Sequence, residues 1–115
     1  MRHAESEYPP RPLSGRELRR IEVEALAELY FNLREVDHAV DVAFIESGWR
    51  TDAWNTVGED SRGLWQINVG PGAHPELSLW NLWDPMLNAY YAAQIYDASG
   101  WAAWLNSARR LNLPT

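Results

Sequence analysis

"VDHAVDVAFIESGW", residues 36–49, is the stretch on which the fold turns. Asp37 is a good helix N-cap, and Val36 before it can act as a hydrophobic staple. Val40, Ala43 and Phe44, with Val42 and Ile45 more loosely, make the following helix apolar nearly all round. A helix of that kind lies buried in the middle of its domain. Gly48 is a natural stop, because glycine takes the left-handed backbone of a helix end without steric cost. Glu46 stands where this buried helix surfaces into a loop.

Upstream, residues 1–12 hold three prolines and no apolar period, which predicts a mobile or loosely docked arm ahead of one domain over 13–115. Ser14 and Glu17 form a capping-box pattern, so a helix is expected from Ser14. Its buried face is expected to carry Leu18, Ile21, Ala25, Leu26, Leu29 and Leu33, at steps of three and four. Downstream, residues 49–63 carry turn chemistry and room for a short hairpin. "LWQIN" (64–68) reads as a brief extended or single-turn piece, and residues 76–83 as a short helix. "DPMLN" (84–88) opens a helix with Asp84 as cap and Pro85 in the first turn, ending near Tyr96. A last helix covers 101–111. The expected class is mainly α (α+β): a helical bundle around a buried central helix, with a short β or irregular insert beside a cleft.

The chain has 115 residues, 46% of them apolar, and a formal net charge of −6. That composition suits one globular domain. The acidic balance excludes a general nucleic-acid binder and a polybasic membrane binder. No apolar run approaches the roughly 20 residues of a membrane-spanning helix. No cysteine is present, so disulfides, thiolate zinc sites and thiol nucleophiles are excluded. His3, His38 and His74 have no metal-ligand spacing, and no cofactor is expected. Seven tryptophans and five tyrosines stand against two phenylalanines. Rings with a flat apolar face and a polar edge suit a core, and they equally suit a carbohydrate cleft.

A carboxyl at the end of a buried helix, among neighbours such as Phe44, Trp49 and Trp65, is held protonated by desolvation. Such an acid can protonate the leaving oxygen of a glycosidic bond. A glutamate at a helix end more often simply faces water, so placement alone does not decide. Glycosidases commonly use a second carboxylate, for which Glu59 and Asp60 in the following loop are the candidates. Asp41 points elsewhere from the same helix.

The ordered set "ESGW…AWN…GEDSRGLWQIN…DPMLNAYYAAQIY…GWAAW" resembles the lytic transglycosylase branch of the lysozyme superfamily, over about residues 36–106. It looks most like compact versions from phage lysins, tail proteins and tape-measure proteins. The resemblance implies a lysozyme-like fold and cleavage of the β-1,4 bond between N-acetylmuramic acid and N-acetylglucosamine. Glu46 matches the catalytic acid, Ser61 a residue beside that acid, and Gln66 a residue lining the glycan cleft. Asn68 and Trp65 flank the same block. Asp84, Pro85 and Asn88 match a helix opening taken as structural. Trp49, Tyr91 and Trp101 complete the expected sugar-binding set; Trp101 and Trp104 match a "GWxxW" ending, with Trp104 read as core.

Two departures matter. Animal-type lysozymes carry an aspartate where this chain has Ser61, with Asp60 one residue earlier. The "AYNAG" block of bacterial transglycosylases is absent, leaving Tyr90 and Tyr91 as local candidates for a tyrosine helper. Transglycosylation and hydrolysis therefore both stay open. A non-catalytic wall-binding module, a virion adaptor and a chitin substrate are the rival readings. The expected partner is peptidoglycan, acted on by a monomer. The N-terminus lacks the apolar run of a signal peptide. The expected setting is the bacterial wall, reached as a phage-encoded protein held in a virion or released on lysis. The net charge of −6 weakens long-range attraction to an anionic wall and fits an enzyme held there by another protein.

Overall fold

The computed structural model describes residues 9–12 and 15–115. Its helices are α1 (Arg20–Tyr30), α2 (Val36–Ser47), α3 (Pro85–Ser99) and α4 (Leu105–Arg110). Single 3₁₀ turns lie at Leu33–Glu35, Pro75–Leu77 and Gly100–Trp104. Between α2 and α3 sits a three-stranded antiparallel sheet of β1 (Trp54–Asn55), β2 (Ser61–Arg62) and β3 (Ile67–Asn68), in that order. The fold is mainly α with a small β insert, as expected.

Helix α2 is the central one. Val36, Ala39, Val40, Val42 and Ala43 are all buried, and α1 and α4 pack on it. Gly48 ends it in the left-handed conformation (φ 62°), its N–H donating to Phe44 O at 2.8 Å. The apolar character is less complete than expected. Phe44 is 53% exposed, lying edge-on to Trp49 at 4.8 Å. Residues on the solvent side of a helix end cannot be covered unless another element crosses there.

Helix α1 differs more. Ser14 lies outside the described residues, and Glu17 is no part of a helix: it forms an isolated bridge with Arg50. The helix starts at Arg20, with Glu22 accepting the Arg19 N–H at 2.9 Å. Its buried stripe is Val23 and Ala27, flanked by Leu26 and Tyr30. Ile21, Leu29 and Leu33 are exposed. Two apolar stripes share this segment. The one with smaller residues, Val23 and Ala27, faces the core, where short side chains let α1 pack closely on α2.

Asp84 caps α3, its Oδ1 accepting the Met86 N–H at 2.9 Å, with Pro85 in the first turn. The helix runs past Tyr96 to Ser99. Its buried Asn88 ties the β insert to the helical layer. Nδ2 donates to Arg62 O and Leu82 O at 2.9 Å, and Oδ1 accepts from the Trp65 N–H at 2.8 Å. Gly63 (φ 79°) makes the close approach possible, since a Cβ there would collide with Leu82 O and the Asn88 amide.

Candidate active site

Glu46 lies in the last turn of α2, half-buried. Its Oε2 accepts a hydrogen bond from Ser107 Oγ at 2.5 Å. Ser107 is on α4 and only 1% exposed, so the donor is fixed by packing. Burial pushes the Glu46 carboxyl above the ordinary glutamate value. The Ser107 hydroxyl pulls the other way, and the negative charge of Glu59 adds to the rise.

Sheet register gathers polar groups opposite this acid. Asn55 pairs with Ser61 and Ser61 with Asn68, so the three form one row across the sheet. Residues in one row share a face. The next row, Trp54, Arg62 and Ile67, faces the other way, and Arg62 and Ile67 are buried. The polar row walls a cleft of about 530 Å³, within the usual range for ligand sites. Ile45 and Glu46 form its helical side, and residues 103–106 close it with Ala103, Trp104 and Leu105. These apolar side chains, not Phe44, Trp49 and Trp65, flank the acid across the cleft.

Glu59 shares the same cleft from the β1–β2 connection. It is exposed; Oε2 accepts from Asn55 Nδ2 at 2.9 Å, and Oε1 accepts from Ser61 Oγ. The arrangement therefore holds two carboxyls in one polar cavity. One is desolvated and biased toward its protonated form. The other is solvent-facing and oriented by two side chains.

The expected site residues fall into distinct places. Gln66 and Asn68 line the cleft. Gln66 Nε2 is committed to Ala53 O and Gly63 O at 2.9 and 3.0 Å, and Asn68 Oδ1 accepts from the Asp60 and Gly70 N–H groups. Ser61 is also in the cleft, but its hydroxyl bonds Glu59 and not Glu46, because the strand register aims it along the sheet wall. Asp60 faces away, as alternation along the strand requires. It forms a two-pronged ion pair with the buried Arg62 (3.0 and 2.9 Å) and accepts from Trp54 Nε1 at 2.8 Å. Trp65 is fully buried, donating to Ala39 O, and Trp101 is buried, donating to Glu35. Both are core residues and not cleft walls. Trp49 sits on the α1 side, its Nε1 on Val40 O and its ring under the Arg20 guanidinium. Tyr91 lies beyond the acid cleft, stacked on Trp80. Trp104 is buried with Nε1 on Trp65 O, yet one edge of it forms cleft wall.

Ser107 has no counterpart in the sequence reading. It lies 61 positions from Glu46 and in a short helix with no motif around it, so no local pattern marks it. No group of histidines and acids suited to a metal ion occurs among the described residues. A separate apolar hollow of about 400 Å³ lies beside α1, lined by Leu18, Leu26, Leu29 and Met86. Its one acid, Glu22, is held by Arg16 with the carboxyl down to about 2, so it donates no proton near neutrality.

A sequence-family model described as a lysozyme-like domain matches residues 24–106. No curated protein and no solved structure matches the chain.

Proposed function

The chain belongs to the lysozyme-like domain family, a family of peptidoglycan-acting glycosidases, and we propose that it cleaves the β-1,4 bond between N-acetylmuramic acid and N-acetylglucosamine. The observation that carries this reading is the pairing of a desolvated Glu46 with Glu59 in one polar cleft. Glu46 gives its proton to the bridging oxygen, and the C1–O bond breaks with its electron pair going to that oxygen. Water attacks the cation-like C1 while the Glu59 carboxylate takes the water's proton. That proton returns to Glu46 through solvent. The products are a free reducing end and a free hydroxyl. Ser107 orients the acid, and Asn55, Gln66 and Asn68 bound the sugar site.

Transglycosylation is the second reading, favoured by Ser61 standing where animal-type lysozymes carry an aspartate. There the sugar's own 6-hydroxyl replaces water. The mass profile of muropeptides released from purified peptidoglycan decides. Reducing ends are expected, and they vanish with Glu46→Gln. Anhydro ends would assign the second reading. Intact glycan with the wild-type chain would end both. The net charge of −6 supports an enzyme held at the wall by another protein, such as part of a phage particle.

A further inference from the structure

Residues 100–110 bring Ser107 to the acid, and little within the segment fixes its place. The Gly100–Trp104 turn runs straight into α4. That helix has six residues and no side-chain cap, too short to be stable alone. Its position is therefore set by what it is tied to. Among the described residues, three side-chain hydrogen bonds tie the segment to the rest of the chain, from Trp101, Trp104 and Ser107. The donors recur at every third residue, so they lie along one edge, and all three are buried. Trp104 Nε1 donates to a backbone carbonyl, Trp65 O, at 2.7 Å. Trp101 Nε1 donates instead to a side chain, Glu35 Oε1, at 2.9 Å. Glu35 is the residue from which α2 starts, and Glu46 lies in that helix's last turn. The segment is thus pinned to both ends of α2, by Trp101 at one and Ser107 at the other.

From this geometry we infer that Glu35 is a positioning residue: through the Trp101 indole it sets the register of residues 100–110 along α2, and so brings Ser107 to Glu46. The inference rests on the reading of Glu46 as proton donor, yet the contact it explains can be observed without turnover. Glu35 is suited to the task because its carboxyl gathers donors from three elements. Besides Trp101, His38 Nδ1 on α2 lies 3.1 Å from Oε1, and the Tyr96 hydroxyl on α3 bonds the same carboxyl. A carboxylate only accepts, so each of these groups donates. Those bonds, His38 first, hold Glu35 below the ordinary glutamate value, which keeps it an acceptor near neutrality. The Trp101 ring passes its position on. It stacks on Phe31 with centroids 6.0 Å apart and planes at 9°, and meets the Trp104 ring at 5.6 Å. Trp104 in turn walls the cleft.

The test is an NMR pH titration of the full chain with isotope-labelled glutamate, the Glu46 carboxyl being assigned by its loss in Glu46→Gln. Ser107→Ala should move the Glu46 titration up, since burial and Glu59 then act unopposed. Glu35→Ala should move it in the same direction, by no more than Ser107→Ala does. Removing the Glu35 charge would by itself move it down, so a rise reports the lost contact. In the Ser107→Ala background, Glu35→Ala should add no rise. Glu35→Gln keeps an oxygen for the indole N–H and should titrate no higher than wild type. Trp101→Phe removes the N–H and keeps a ring; it should match Glu35→Ala, and it carries the test if that variant does not fold. A Glu46 titration that stays in place in either folded variant, even with a lower melting temperature, overturns the inference. So does a rise that persists without Ser107. Muropeptide release by the wild-type chain, run in parallel, separates the two readings. Release without the coupled rise leaves the glycosidase and removes the positioning role. The coupled rise without release leaves the contact and removes the glycosidase.

Discussion

Ser107→Ala removes a single hydroxyl that touches the acid, and its consequence can be worked through. Ser107 Oγ donates to Glu46 Oε2 at 2.5 Å from a fully packed position. The bond favours the ionised carboxyl, opposing burial and the Glu59 charge. Without it, both remaining influences act upward. A hydrogen bond to a charged group contributes about 1.5–3 kcal/mol. Glu46 is only half-buried, so water replaces part of the lost bond and the carboxyl rises by less than the whole bond would give. The acid works protonated, so its pKa sets the basic limb of the activity profile. Hence kcat/KM for wall clearing should hold to higher pH in the variant. The rate on the plateau should fall about tenfold, because the acid loses its fixed orientation. The assay is turbidity loss of a peptidoglycan suspension from acid to alkaline pH, with circular dichroism as the fold control. A folded variant whose basic limb stays in place, or moves down, would refute the reasoning.

Other expectations follow from the same contacts. Glu46 has a folded value above its unfolded one, so the fold binds that proton more tightly and wild-type stability falls as pH rises through the window between them. Glu46→Gln should therefore melt higher than wild type above that window and lose this advantage below it, as read by scanning calorimetry. Glu59→Gln should slow wall clearing at least about tenfold with no change in melting. Asp60→Asn should do the reverse: it weakens the compensation of the buried Arg62 and should cost about 2–3 kcal/mol in urea unfolding. Loss of activity from Asp60→Asn at unchanged stability, with Glu59→Gln still active, would place the second carboxylate at Asp60. Asn88→Ala deletes three buried hydrogen bonds that join the sheet to α3 and should cost about 3–4 kcal/mol, checked by the same titration.

Local chemistry was legible along the chain. The Gly48 stop and the Asp84–Pro85 opening each follow from backbone preferences of a few adjacent residues, and each stands in the structure; the apolar run of residues 36–45 is buried except on the side of Phe44. The appearance of Glu46 at the surfacing end of α2 follows from those same signals. The phase of α1 was not legible, because two apolar stripes run along it and only packing against α2 selects the smaller one.

The cleft itself belongs to the tertiary structure. Alternation along two-residue strands does not say which row faces the acid, and register alone separates Ser61 from Asp60. Tryptophans 65 and 101 read as sugar rings or core equally well from composition, and burial made them core. Ser107 meets Glu46 only when α4 packs on α2. Helix period and capping are properties of neighbouring residues, which a sequence displays. The proton donor's partner and the ring that meets solvent are set by distances between segments far apart in the chain, and only the closing of the core sets those distances.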